Sequence, residues 1–169
     1  SEEISFSLGS HSAFCCPRNT DAEGTANSDY FIEFEKKEAL TGVATTPDGY
    51  IASDEDGIAP YTFPYGEKEP GIIPLTAEGF GNGHFFTAFT SDWVGLRNRK
   101  NGSLVKVNTK DYPYLMIWQN AGEPRFVCIE PWYGIPDPEV TDHRWELKPA
   151  LISLQPGKSF TADQSITIE

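Results

Sequence analysis

Tyr114-Leu115-Met116-Ile117-Trp118 and Arg125-Phe126-Val127-Cys128-Ile129-Glu130 are the two stretches that decide the fold. Successive side chains of a strand point to opposite faces, so a strand exposed on one side alternates apolar with polar. Here Tyr114, Met116 and Trp118 fill one face and Leu115 and Ile117 the other. Val127 and Ile129 share a face, and Phe126, Cys128 and Glu130 share its opposite. Strands apolar on both faces belong inside a layered structure, covered on each side. Glu130 ends such an apolar face, and a buried carboxylate needs a partner or a function.

Outward from these stretches, period-two alternation recurs. Ile4, Phe6 and Leu8 alternate with Ser5 and Ser7, predicting a half-buried strand. In residues 30–36, Tyr30, Ile32 and Phe34 oppose Glu33 and Glu35. Further strands are predicted over 84–89, 104–107 and 165–168. Turn signals separate them: Pro47-Asp48-Gly49, Asp54-Glu55-Asp56-Gly57, Asn101-Gly102 and Gln155-Pro156-Gly157. Asn-Gly between two such runs marks a hairpin, because a type I′ turn needs positive φ at both central residues. Residues 48–71, rich in Pro, Gly and acidic groups, read as a long excursion over the surface. Fifteen Gly and thirteen Pro would interrupt helices repeatedly, so the class is all-β, in one domain over 1–169.

The composition narrows the partners. The formal charge is −12, with 13 basic residues spread thinly among 25 acidic ones. Nucleic acid and anionic membrane both need clustered Lys and Arg, so neither is expected as a partner. No apolar run is long enough for a membrane span. Cys15, Cys16 and Cys128 are odd in number and lack both framework and zinc-clip spacing, which points to free thiols and a cytoplasmic setting. Ser1-Glu2-Glu3-Ile4 runs straight into a strand pattern with no basic or apolar leader, as expected for part of a longer chain.

Several local patterns carry less. Ser10-His11-Ser12 sets hydroxyls beside an imidazole but lacks the G-x-S-x-G elbow of a hydrolase. Gly79-Phe80-Gly81-Asn82-Gly83 lacks the helix that a phosphate loop requires. Asp54, Glu55 and Asp56 read as a solvated acidic loop. His84 and His143 read as packing or surface residues.

Two segments taken in order are similar to those of the aldose 1-epimerase, or galactose mutarotase-like, family. Gly9-Ser10-His11-Ser12-Ala13-Phe14 resembles the G-x-H-x-x-F segment that carries the family's general-acid histidine. Phe126-Val-Cys-Ile-Glu130-Pro131-Trp132-Tyr133-Gly-Ile-Pro136-Asp137 resembles the strand that ends in the catalytic Glu, followed by Pro and a downstream Pro-Asp. Asp111 to Trp118 and Leu154 to Phe160 extend the likeness over nearly the whole chain. The branch it most resembles is that of the bacterial galactose mutarotase-related proteins.

The resemblance implies a twisted antiparallel β-sandwich, part of a supersandwich whose amino-terminal portion precedes Ser1 or comes from a partner chain. It implies a small-molecule sugar as ligand and interconversion of α and β anomers of a hexose, with no metal and no cofactor. Glu130 would be the base and His11 the acid. Imidazole suits that role because its charge change ordinarily falls between about pH 5 and 8. Trp132, Tyr133 and Trp118 would offer an apolar platform to the sugar. Gly83 stands about where related sequences often carry an Asp that holds sugar hydroxyls. The residues also admit plainer roles. His11 could be a hydrogen-bonded structural histidine, Glu130 a turn cap before Pro131, and the aromatics core or rim residues. Sugar binding without catalysis, or a part in a larger assembled sandwich, would keep the same sequence.

Overall fold

The computed structural model describes residues 2–53, 62–65, 69–75, 83–120 and 125–169. Thirteen strands appear among them: β1 (Ile4–Phe6), β2 (Ser12–Cys15), β3 (Tyr30–Phe34), β4 (Leu40–Ala44), β5 (Thr62–Tyr65), β6 (Ile72–Pro74), β7 (His84–Phe86), β8 (Trp93–Asn98), β9 (Leu104–Asn108), β10 (Tyr114–Trp118), β11 (Phe126–Trp132), β12 (Ile152–Leu154) and β13 (Ile166–Ile168). A six-stranded sheet runs β2-β11-β10-β7-β4-β5, a five-stranded sheet β13-β9-β8-β3-β6, and β1 pairs with β12 alone. Every pairing of these strands is antiparallel. The all-β sandwich expected from the sequence is the fold observed.

The two large sheets bury one core between them. Ile32, Phe34, Val94, Leu96 and Val107 from the five-stranded sheet meet Phe86, Leu115, Ile117, Val127 and Ile129 from the six-stranded one. The other face of the six-stranded sheet is apolar too. It carries a second cluster of Ile51, Phe85, Met116 and Ile135, flanked by Val43, Tyr114, Trp118 and Trp132. β10 and β11 are thus covered on both sides, as their two-faced apolarity requires.

Several boundaries differ from the sequence reading. The strand expected over 84–89 ends at Phe86, β11 continues through Pro131 to Trp132, and β13 begins at Ile166. The excursion expected over 48–71 contains β5, paired with β4 at the edge of its sheet. Pro64 lies within it, and an edge is where a strand tolerates a residue without an N–H. Ile4 and Leu8 are exposed rather than half-buried. Pairing with β12 alone sets β1 outside the main layers, where Phe6 meets Phe160 edge-on at 5.6 Å. The hairpin at Asn101-Gly102 forms between β8 and β9, but not through the expected type I′ turn. Gly102 has φ 75° while Asn101 keeps a negative φ, and the Gly102 N–H donates to the Asn98 carbonyl at 2.9 Å in a longer loop. The acidic trio Asp54, Glu55 and Asp56 and most of the Gly79–Gly83 run fall outside the described residues.

Candidate active site

Strand register brings His11 to Glu130. β2 pairs with β11 through Cys128↔Ala13 and Ile129↔Ser12, so the next pair in step is Glu130 with His11. The ladder continues beyond the strand: the Ser10 N–H donates to the Pro131 carbonyl at 3.1 Å, and Gly9 bridges Trp132. On the other flank Glu130 lies opposite Met116, and Met116 opposite Phe85. A row of His11, Glu130, Met116 and Phe85 therefore crosses four strands on the face away from the sandwich core. Side chains directly opposite in adjacent strands stand about 5 Å apart at Cβ, near enough to touch. His11 Nδ1 lies 3.4 Å from Glu130 Oε1.

Their surroundings are unlike. The His11 side chain is 68% exposed and that of Glu130 2%. Burial pushes the Glu130 carboxyl up to about 7, while the Cys128 thiol, which donates to it, pulls the other way. Burial, followed by the charge of Glu130, drives the Cys128 thiol up to about 12. Glu130 Oε2 is buried with no hydrogen-bond partner among the described residues. An unsatisfied buried carboxylate oxygen is costly, and in a working site a ligand hydroxyl can satisfy it.

Above this row opens a cavity of about 390 Å³, lined by His11, Glu130, Met116, Trp118 and Trp132 from the sheet and by a turn over residues 45–49. The turn is the one anticipated at Pro47-Asp48-Gly49: Gly49 has φ 86°, and its N–H donates to Thr46 O at 2.9 Å. Its overhang on the cavity was not legible in sequence, because the contact is made between segments some 80 residues apart. The Ile51 N–H donates to Asp137 O and the Glu139 N–H to Ile51 O, tying the turn's far strand to the segment after β11. Asp137, the last residue of the second motif, pairs with Lys148 and so anchors this segment outside the cavity.

Trp132 is held by its Nε1–H, which donates to Ser10 O at 2.9 Å. A Cβ on Gly9 would lie 2.3 Å from the Trp132 ring, so only glycine lets the indole lie along this backbone. Gly83 plays a similar part for Trp118: a Cβ there would stand 2.7 Å from Trp118 Cδ1, at a φ of +150°. Tyr133, expected as a platform, lies outside the cavity lining. Its ring packs on Tyr112 at 4.6 Å and edge-on against Phe160 at 5.0 Å. His84 is buried on β7 with its imidazole pushed down to about 4 by burial, and His143 is exposed, 3.9 Å from Asp137. Sequence reasoning missed Met116 and the hydroxyl-bearing Thr45 and Thr46 as lining residues. The alternation of β10, which sets Met116 on the Trp118 face, was the signal for the first.

Comparison with known proteins fits this architecture. No family model matches the chain. Two curated relatives, the chromosomal and plasmid LacX proteins of Lactococcus lactis subsp. lactis, are 26% identical over 162 residues, 95% of the chain but 51% of their own length. A galactose mutarotase related enzyme from Lactobacillus acidophilus superposes with a TM-score of 0.81 at 27% identity, over 99% of the chain and 53% of that structure. A galactose mutarotase-like protein from Lactobacillus casei ATCC 334 gives 0.70 at 22% identity, with the same coverage. In fold and in sequence the chain is thus similar to galactose mutarotase-like proteins. It spans about half the length of the relatives it matches.

Proposed function

We propose that this chain carries the acid–base site of an aldose 1-epimerase, with a hexose bound in the cavity above β10 and β11. The observation that carries the reading is the His11–Glu130 pair, 3.4 Å apart, on the cavity floor between Trp118 and Trp132. Ring opening needs a base at the anomeric hydroxyl and an acid at the ring oxygen. Glu130 takes the hydroxyl proton as the C1–ring oxygen bond breaks and C1 becomes an aldehyde, and His11 protonates the departing oxygen. Rotation about the bond to C1 and reversal of both transfers closes the other anomer. No proton is consumed, because the reversal returns Glu130 and His11 to their starting states. A carboxyl raised to about 7 is a better base than an ordinary one and still ionises near neutrality. The indoles of Trp118 and Trp132 offer apolar faces to the sugar's C–H groups, and Thr45 and Thr46 offer hydroxyls.

The chain covers about half of its relatives, and its apolar surface suits a larger assembly. Ile4, Leu8, Trp145 and Leu147 are exposed, as are Ile166 and Ile168 on edge strand β13. Exposed edges and apolar patches are what an additional segment or partner chain would cover. Cys15, Cys16 and Cys128 are all unpaired, in keeping with a reducing cytoplasm. No described helix is long and apolar enough to cross a membrane.

The test is polarimetry of freshly dissolved α-glucose and α-galactose with the chain and its Glu130→Gln variant. Acceleration over the spontaneous rate, lost in the variant, is the expected result. Folded protein that binds either sugar without acceleration would replace catalysis with binding alone.

A further inference from the structure

Buried beside the cavity-lining Glu130 is a third chemically active side chain that the epimerase reading does not use. Cys128 lies two residues before Glu130, on the same face of β11, and His11 faces Glu130 from the adjoining strand segment. One ligand atom from each of the three lies within 4.8 Å of the other two. We propose that His11, Cys128 and Glu130 form a three-ligand site for a divalent cation of the zinc class, open to the cavity at its fourth position.

The geometry suits such an ion. Zinc binds imidazole nitrogen and carboxylate oxygen at about 2.0–2.2 Å and thiolate at about 2.3 Å, in tetrahedral arrangement. That places ligand atoms roughly 3.3–3.8 Å from one another. His11 and Glu130 already satisfy this at 3.4 Å. Cys128 needs a closure of about 1 Å at most, within reach of a rotation of the exposed His11 ring. Residues at i and i+2 on one strand share a face with a cross-strand partner, and here their ligand atoms lean together within 4.8 Å. Calcium and magnesium prefer sets made of oxygen alone, whereas thiol with imidazole selects zinc or cadmium. The buried, unpartnered Glu130 Oε2 gives the site a further lone pair to offer. On binding, the ion forms a sulfur–metal bond and the thiol proton leaves to solvent. The thiolate and carboxylate together neutralise the ion's two charges. An ion held there occupies both His11 and Glu130, leaving neither to a sugar. The site itself does not depend on the epimerase reading.

Cadmium titration of the Cys15→Ser chain, which lacks the exposed thiol, tests the proposal directly. The thiolate-to-cadmium charge-transfer absorption should rise and saturate at one ion per chain, and zinc should displace it. Cys128→Ser should abolish the absorption. His11→Ala, whose side chain is exposed and whose loss leaves the fold intact, should weaken binding at least about tenfold. No saturable absorption, its survival in Cys128→Ser, or unchanged affinity in His11→Ala would each overturn the site. If Cys128→Ser fails to fold, the His11→Ala comparison decides alone.

Discussion

The two faces of the six-stranded sheet are both apolar, yet they do different work. The inner face, with Leu115, Ile117, Val127 and Ile129, is closed by the second sheet and carries aliphatic side chains with no exposure. The outer face is built from aromatic and sulfur-bearing residues, Phe85, Tyr114, Met116, Trp118 and Trp132, and is only partly covered. Into it are set the groups that can move protons, His11 and Glu130. Alternation alone separates the two: Ile129 faces the core and its neighbour Glu130 the cavity. The lesson is that one strand can present a core face and a cavity-lining face at once, because adjacent residues never share a face.

The largest effect should come from the outer face. His11→Ala should lower the mutarotation rate by about 10²–10⁴-fold while leaving thermal stability unchanged, since the ring is mostly exposed. Paired polarimetry and melting curves check both halves. A variant that loses stability along with rate would erase the division between the faces. On the inner face, Leu115→Ala should cost about 2–5 kcal/mol in denaturant unfolding, with little change in the rate of the folded fraction.

The pH dependence sharpens the comparison, because of the two β11 groups that burial shifts, Glu130 and Cys128, only Glu130 titrates near neutrality. Its carboxyl rises from 4.5 to about 7 on folding. The proton is therefore held more tightly in the folded state. Stability is fully present below pH 4.5 and falls by about 3 kcal/mol as pH rises through 7. Glu130→Gln should flatten that slope in unfolding curves taken between pH 4 and 8, roughly the span of the shift. Base catalysis has the opposite sign. The ionised form is needed, so the rate should fall as pH drops through about 7 rather than through the usual carboxylate range. An acid limb near 4.5 would return Glu130 to an ordinary, solvated carboxylate.

The smallest effect is expected at Trp132. Replacement by Phe removes the hydrogen bond to Ser10 O, worth about 1 kcal/mol, and should raise KM several-fold with little change in kcat. A pure loss of kcat would place Trp132 among the reacting groups instead of the platform.

Much of this was readable from residues alone. The two-faced apolarity of 114–118 and 126–130 demanded a strand covered on both sides, and β10 and β11 are that. Glu130 stood out as a carboxylate ending an apolar face, because burying a charge is too costly to be casual. Less was readable where local pattern and tertiary placement part. Ile4 and Leu8 alternate like a half-buried strand, but β1 found only β12 to pair with and left both exposed. Tyr133 and Trp132 are neighbours in sequence, yet one pairs with Tyr112 and Phe160 while the other lines the cavity. Alternation fixes that they point apart and is silent on which side holds the cavity.

The sequence by itself therefore determined the strand class, the two-sided burial of the central strands and the residue types able to exchange protons. These follow from side-chain chemistry and a period of two. Tertiary structure alone decided that His11 meets Glu130, that Cys128 joins them, and that the turn over residues 45–49 overhangs the first two. The meeting of His11 with Glu130 depends on register between strands more than 100 residues apart, and register is set by the burial of a whole face.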